Sequence, residues 1–131
     1  MNCRTLKKIL YVEDEPDIRL IAAMALESVG GFTLEVCESG ADALAKGQHF
    51  APDLLLLDVM MPEMDGPTTL QALRRLPGLE ATPVIFMTAK VQAQEIAGYR
   101  DFGALDVIGK PFDPMTLAAQ VEAIWQRSKG G

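Results

Sequence analysis

Pro52-Asp53-Leu54-Leu55-Leu56-Leu57-Asp58-Val59-Met60-Met61-Pro62 sets four consecutive leucines between turn-forming residues. A run that short and apolar on both faces reads as a strand buried from both sides, hence a central strand of a parallel sheet. Asp58, the first polar residue after the leucines, then stands at the carboxyl end of that strand. Ligands of open α/β sheets bind in the crevice just outside such ends. A carboxylate there either caps the following helix or takes part in chemistry.

Working outward, Ile9-Leu10-Tyr11-Val12 is a second apolar run, cut off by Glu13-Asp14-Glu15. Pro16 suits the first turn of a helix, where a missing N–H does no harm. Ile18, Ile21, Ala22, Ala25, Leu26 and Val29 follow at the spacing of one buried helical face, and Gly30-Gly31 ends it. Phe32 to Val36 alternates, as an edge strand with one wet face would. Ser39 with Asp42 opens a helix running to about His49. Pro67 opens another, carrying Leu70, Leu73 and Leu76 and stopped by Pro77-Gly78. Val84 to Met87 is a buried strand ending at Thr88. A weaker helix is expected over Val91 to Phe102, with Ile96, Tyr99 and Phe102 partly in phase and Gly98 loosening it. Leu105 to Ile108 makes the last strand, stopped by Gly109-Lys110. Asp113-Pro114 caps a final helix that buries Leu117, Val121, Ile124 and Trp125.

Five strands alternating with five helices give an α/β doubly wound sandwich around a parallel sheet. The two faintest strands, the second and the fifth, belong at the edges, which fits the flavodoxin-like order 2-1-3-4-5. At 131 residues and 49% hydrophobic, the chain is expected to be one domain, with its core over about 7–128. A net charge of −6 argues against direct duplex binding, which needs a basic face. No apolar run approaches a membrane span, and no signal peptide is recognisable at the start. Cys3 and Cys37 have no close-spaced ligand partners, which argues against zinc and fits a reducing, cytoplasmic setting. His49, the one histidine, reads as a surface residue.

Right-handed crossovers bring the carboxyl ends of all the parallel strands to one edge of the sheet. Glu13, Asp14, Asp58, Thr88 and Lys110 therefore meet there. Taken singly, Asp14 or Glu15 reads as a helix cap, Thr88 as a helix start and Lys110 as a surface lysine; together they point to a shared site. Three close carboxylates repel, and one lysine does not balance them. Either a carboxyl takes up a proton or a cation binds. A hard divalent ion, above all Mg²⁺, suits one or two carboxylates together with phosphate oxygens and waters.

These residues resemble those of a response-regulator receiver domain, the family that includes the bacterial chemotaxis receiver. The matching pieces are Glu13-Asp14, Asp58 followed by Met61-Pro62-Glu63-Met64-Asp65-Gly66, Thr88-Ala89 and Lys110-Pro111-Phe112. The resemblance implies that Asp58 accepts a phosphoryl group from a phosphohistidine of a sensor histidine kinase or histidine phosphotransfer protein. It implies a Mg²⁺ held by Asp14, by Glu13 mainly through water, by Asp58 and by the Met60 backbone carbonyl. Lys110 would pair with the phosphoryl oxygens, the Thr88 hydroxyl would move to one of them, and the Lys110–Pro111 bond would be cis. Met60 and Lys90 resemble the positions that tune acyl-phosphate lifetime. The aromatic residue that the family commonly carries three positions before the lysine is replaced by Val107, which puts the usual threonine–aromatic coupling in doubt. An output change through the Thr88–Lys90 loop and the fourth helix is expected instead.

Three rival readings compete with this one. A haloacid-dehalogenase-type phosphatase needs a second aspartate two residues after the first, where this chain has Met60. A flavin- or nucleotide-binding module needs a glycine-rich first turn, where this chain has Glu13-Asp14-Glu15. A pseudo-receiver that only binds partners would have no use for Asp14, Asp58, Thr88 and Lys110 together. The expectation is thus a phosphoacceptor signalling domain rather than an enzyme. Only Ser128 to Gly131 follows the last helix, so no output module is expected; the chain would dock on a downstream protein or hand its phosphoryl group on, unless it is part of a longer protein.

Overall fold

The leucine run forms the middle of the sheet. The computed structural model describes residues 5–130, so Cys3 lies outside it. Strands β1 (Lys8–Val12), β2 (Thr33–Cys37), β3 (Leu54–Asp58), β4 (Val84–Thr88) and β5 (Asp106–Gly109) form one sheet in the order β2-β1-β3-β4-β5. Every neighbouring pair is parallel, with Tyr11 opposite Leu56 and Leu57 opposite Phe86. Helices α1 (Pro16–Met24), α2 (Gly40–Phe50), α3 (Gly66–Leu73), α4 (Ala93–Asp101) and α5 (Leu117–Gly130) connect and cover it.

The pleat sends alternate leucines to opposite layers. Leu54 and Leu56 join Ile9, Tyr11, Ile85 and Met87 against Ala22 and Leu26 on one side and Leu117, Val121 and Trp125 of α5. Leu55 and Leu57 join Leu10, Val12, Val84 and Phe86 against Ala43 of α2 and Leu70 and Leu73 of α3. All four leucines are fully buried. At roughly 1.5–3 kcal/mol for each side chain withdrawn from water, this strand anchors the fold.

Local signals set several boundaries. Ser39 Oγ accepts from the Asp42 N–H at 3.0 Å while Asp42 Oδ2 accepts from the Glu38 N–H at 3.1 Å, starting α2. Asp65 Oδ1 accepts from the Thr68 N–H at 2.9 Å and caps α3. Asp58 therefore does not cap the helix that follows it. Nor do Asp14 and Glu15 cap α1, whose start carries no side-chain cap.

Other expectations need correction. Ile21 and Val29 are 47% and 53% exposed, so the buried face is narrower than the spacing suggests. From Ala25 to Val29 the backbone widens into a π turn, with the Gly30 N–H donating to the Ala25 carbonyl at 3.2 Å. The wider turn carries Val29 outward. Gly30 closes it because a Cβ there would lie 2.8 Å from Ala118 Cβ on α5. Strand β2 runs one residue later than expected, and Leu34, Glu35 and Val36 are all half-buried, with Lys46 of α2 reaching Glu35 at 3.8 Å. Helix α4 spans only Ala93–Asp101 and buries no residue. Strand β5 also starts one residue late. Asp113-Pro114 forms a turn instead of the first helical turn. Asp113 Oδ1 accepts from Met115, and its carbonyl accepts from Thr116 and Leu117, so α5 begins only at Leu117.

Candidate functional site

The strand ends converge as parallel topology requires. Glu13 follows β1 directly, and its N–H donates to the Cys37 carbonyl of β2 at 3.1 Å, which extends the ladder by one residue. Asp58 is the last residue of β3 and lies opposite Met87 of β4. Lys110 follows β5, its N–H bonded to the Thr88 carbonyl at 2.9 Å and its peptide bond to Pro111 in the cis form.

From these anchors the side chains meet. Lys110 Nζ donates to Asp58 Oδ1 at 3.0 Å and to Glu13 Oε1 at 3.1 Å. Glu13 and Asp58 are 0% and 1% exposed, so both carboxylates lie out of water and depend on that ammonium. Glu13 Oε2 accepts from the Glu15 N–H at 3.2 Å. Carboxylate oxygens of Glu13, Asp14 and Asp58 lie within 4.8 Å of one another. Asp58 Oδ2 is buried and accepts nothing. Burial pushes the Asp58 carboxyl up to about 7; Lys110 opposes the rise, while Glu13 and Asp14 add to it. On Lys110, burial works against the charge, but the hydrogen bonds it donates to Asp58 and Glu13 outweigh it and raise the ammonium above its ordinary range.

The donor set fits Mg²⁺. It consists of hard oxygens only, it carries more negative charge than Lys110 neutralises, and one buried carboxylate oxygen has no partner. Met60 lies just past Asp58, 64% exposed, at the mouth of the crevice.

Thr88 sits at the end of β4, 1% exposed, and its hydroxyl accepts from the Lys90 N–H at 3.1 Å. It thus braces its own loop rather than the carboxylates. Val107 is half-buried in the layer of Phe86 and Tyr99, whose rings lie 5.3 Å apart, so Tyr99 packs.

The parts played by three residues escape a reading of the sequence alone. The Arg19 guanidinium, one turn into α1, donates to the Glu13 carbonyl at 2.8 Å and ties the acidic turn to its helix. Gly66 lets the loop after β3 fold back: its N–H donates to the Val59 carbonyl at 2.9 Å, and a Cβ there would lie 2.7 Å from the Asp58 carbonyl oxygen. Tyr11 lies two residues before Glu13, on the same face of β1, and is fully buried. Alternation along β1 was the one available signal for Tyr11. Beside the carboxylates, Ile18, Ile21, Pro111, Phe112 and Pro114 line an apolar groove of about 410 Å³ that ends at Lys110, which explains where the uncovered Ile21 points.

Comparison with known proteins agrees with this geometry. Residues 9–122 match the family described as the response regulator receiver domain. The chain belongs to that family. It is 38% identical over 122 residues to the transcriptional regulatory protein ResD of Bacillus subtilis (strain 168), covering 92% of this chain and 49% of ResD. It is 35% identical to the response regulator Rre1 of Synechocystis sp., covering 92% of this chain and 52% of that protein. This receiver therefore spans about half the length of these curated relatives. A solved structure of the chemotaxis response regulator CheY4 of Vibrio cholerae superposes with a TM-score of 0.82 at 30% identity, covering 92% of this chain and 99% of that one. The Francisella response regulator 1452 receiver domain gives a TM-score of 0.80 at 28% identity, covering 94% and 99%. Among the described residues of this receiver, no helix is long and apolar enough to cross a membrane.

Proposed function

We propose that this receiver is a cytoplasmic phosphoacceptor switch, a signalling unit rather than an enzyme acting on a separate substrate. Asp58 takes a phosphoryl group from the phosphohistidine of a sensor histidine kinase or histidine phosphotransfer protein, and the phosphorylated form changes its hold on a downstream protein. The observation that carries this reading is the pairing of Lys110 with both buried carboxylates, which leaves Asp58 Oδ2 without a partner.

In the transfer, a carboxylate oxygen of Asp58 attacks phosphorus in line with the P–N bond. An O–P bond forms, the P–N bond breaks, and its electron pair returns to the leaving imidazole. Ionised Asp58 has no proton to lose, so it needs no base. Glu13, Asp14, Asp58 and the Met60 carbonyl are the groups that would hold Mg²⁺, which when bound would supply positive charge to offset that of the phosphoryl group. Lys110, already 3.0 Å from Asp58, turns its ammonium to those oxygens. The Thr88 hydroxyl gives up the Lys90 N–H to donate to one of them, which loosens the loop leading into α4. Adding roughly −1.5 to −2 charge units makes that exchange worthwhile. With Val107 in place of an aromatic residue, the response runs through the Thr88–Lys90 loop and α4.

Met60 and Lys90 are both exposed, the first just past Asp58 and the second just past Thr88, and they set how readily water reaches the acyl phosphate. Exchanging either is expected to change the decay of labelled phosphate; identical decay in both variants removes that role from them. The chain matches about half of each relative, so its net charge of −6 bears on these residues alone. Within them no nucleic-acid contact is proposed, and one receiver unit is.

The test is incubation with acetyl phosphate, with and without Mg²⁺, followed by intact mass. One added phosphoryl group, dependent on Mg²⁺ and lost in Asp58→Asn, is the expected result. Phosphorylation that survives Asp58→Asn, or none in the parent chain, overturns the reading.

A further inference from the structure

Tyr11 places a hydroxyl where phenylalanine would seem the better choice. Its ring is fully buried in the layer between the sheet and helices α1 and α5, among Ile9, Ala22 and Leu56. Its hydroxyl is buried and completes no hydrogen bond. A polar atom kept from water without a partner costs free energy that a phenylalanine ring would not. Tyr11 and Glu13 stand two residues apart on the same side of β1, so the hydroxyl lies close enough to feel the charge of the Glu13 carboxylate, and that of Asp58 as well. Tyr11 therefore sits beneath the carboxylates as an unused donor.

Glu13 is the group with something to lose. One oxygen is held by Lys110 at 3.1 Å and the other by the Glu15 N–H at 3.2 Å. The Lys110 ammonium is shared with Asp58, so it cannot follow a phosphoryl group on Asp58 and keep its full hold on Glu13. A fully buried carboxylate deprived of its charged donor is expensive, and it would swing away from the position it holds for a metal ion. A replacement donor standing within reach beforehand would keep Glu13 in place, since the side chain is fully buried.

We propose that Tyr11 is a positioning residue, whose hydroxyl becomes the hydrogen-bond donor of Glu13 when Lys110 turns to the phosphoryl group on Asp58. This rests on the phosphoacceptor reading above and adds a role that reading does not contain. The idle hydroxyl of the unphosphorylated chain is then a donor held ready for the phosphorylated one. The expected signature is a group that contributes nothing to the resting protein and something to the activated state.

Tyr11→Phe removes one oxygen and keeps the ring, so it separates the two states. Beryllofluoride with Mg²⁺ serves as the phosphoryl mimic, with Asp58→Asn as the control. Without the mimic, Tyr11→Phe should melt within about 2 °C of the parent chain, since no hydrogen bond is lost. With it, Tyr11→Phe should bind beryllofluoride roughly tenfold more weakly, the scale of one hydrogen bond to a charged acceptor. In the parent chain, proton magnetic resonance should show a slowly exchanging Tyr11 hydroxyl proton only when the mimic is bound. Equal beryllofluoride affinity in parent and Tyr11→Phe overturns the proposal and leaves the phosphoacceptor reading standing. A loss of stability as large without the mimic as with it overturns it in favour of simple packing. If the parent binds no beryllofluoride, both fall together.

Discussion

The two flanks of the crevice are built to different standards of rigidity. On the β1–β3 flank, Glu13 and Asp58 are out of water, each bonded to Lys110, with Arg19 clamping the Glu13 carbonyl and Gly66 pressed against the backbone of Asp58. On the β4–α4 flank, the Thr88 hydroxyl engages its own loop and not the carboxylates, and α4 buries no residue and contains Gly98 with nothing within 4 Å of a Cβ. One side fixes reacting atoms, which positional catalysis demands. The other is held by little, so a small change in hydrogen bonding can shift it. Chemistry and response are assigned to opposite edges of the same groove.

The strongest way to break this contrast is Lys110→Ala. It strands two buried carboxylates and should cost about 3–5 kcal/mol in urea unfolding at neutral pH. It also removes the group that holds Asp58 down, so the carboxyl should titrate still higher than about 7 and phosphorylation by acetyl phosphate should collapse. A loss below about 1 kcal/mol would mean that the rigid flank does not depend on this lysine.

The next effect is on pH. The Asp58 carboxyl is raised from 3.8 to about 7, so folding tightens its hold on a proton. Its contribution is complete below the lower value and is lost as the pH rises through the upper one. Without metal, the melting temperature should therefore fall from pH 4 to pH 7 by more in the parent chain than in Asp58→Asn. Added Mg²⁺ should recover more stability at pH 8 than at pH 5. Parallel pH curves for the two proteins would refute the shift.

Gly66→Ala should cost about 1–3 kcal/mol, because its methyl must push against the Asp58 carbonyl. It should also slow phosphorylation. Unaltered phosphorylation would show that the roof of the rigid flank has slack.

The soft flank gives smaller effects. Bound beryllofluoride should change amide exchange across residues 89–103, and unchanged protection there would end the assignment of the response to α4. Gly98→Ala should stabilise by about 0.5–1 kcal/mol and slow exchange within Ala93–Asp101 without altering uptake of phosphate by Asp58.

What the sequence discloses follows the same division. The leucine run and the acidic and basic strand ends were legible, because period and position along a parallel strand determine which side chains meet. The order of the sheet followed from which strands were faint. Helix edges were less so: α4 has no buried face to define it, and Asp113-Pro114 spends its capping groups on a turn three residues early. Val29 misled because a π turn does not keep the 3.6-residue period, and Ile21 because it faces the apolar groove beside Lys110 and not the core. Gly66 and Arg19 depend on how a loop and a helix return over the site, which spacing does not encode.

The leucine strand has a consequence for how the chain is made. Both edges of Leu54–Asp58 are closed in the finished sheet, one by β1 and the other by Val84–Thr88. During synthesis the second partner arrives some 26 residues after the last of the strand, counting Asp58 to Val84. Until then a four-leucine edge lies open to any neighbouring chain. Nascent or cleaved pieces that stop short of Val84 should be the forms that clump, and the ones chaperones must shelter.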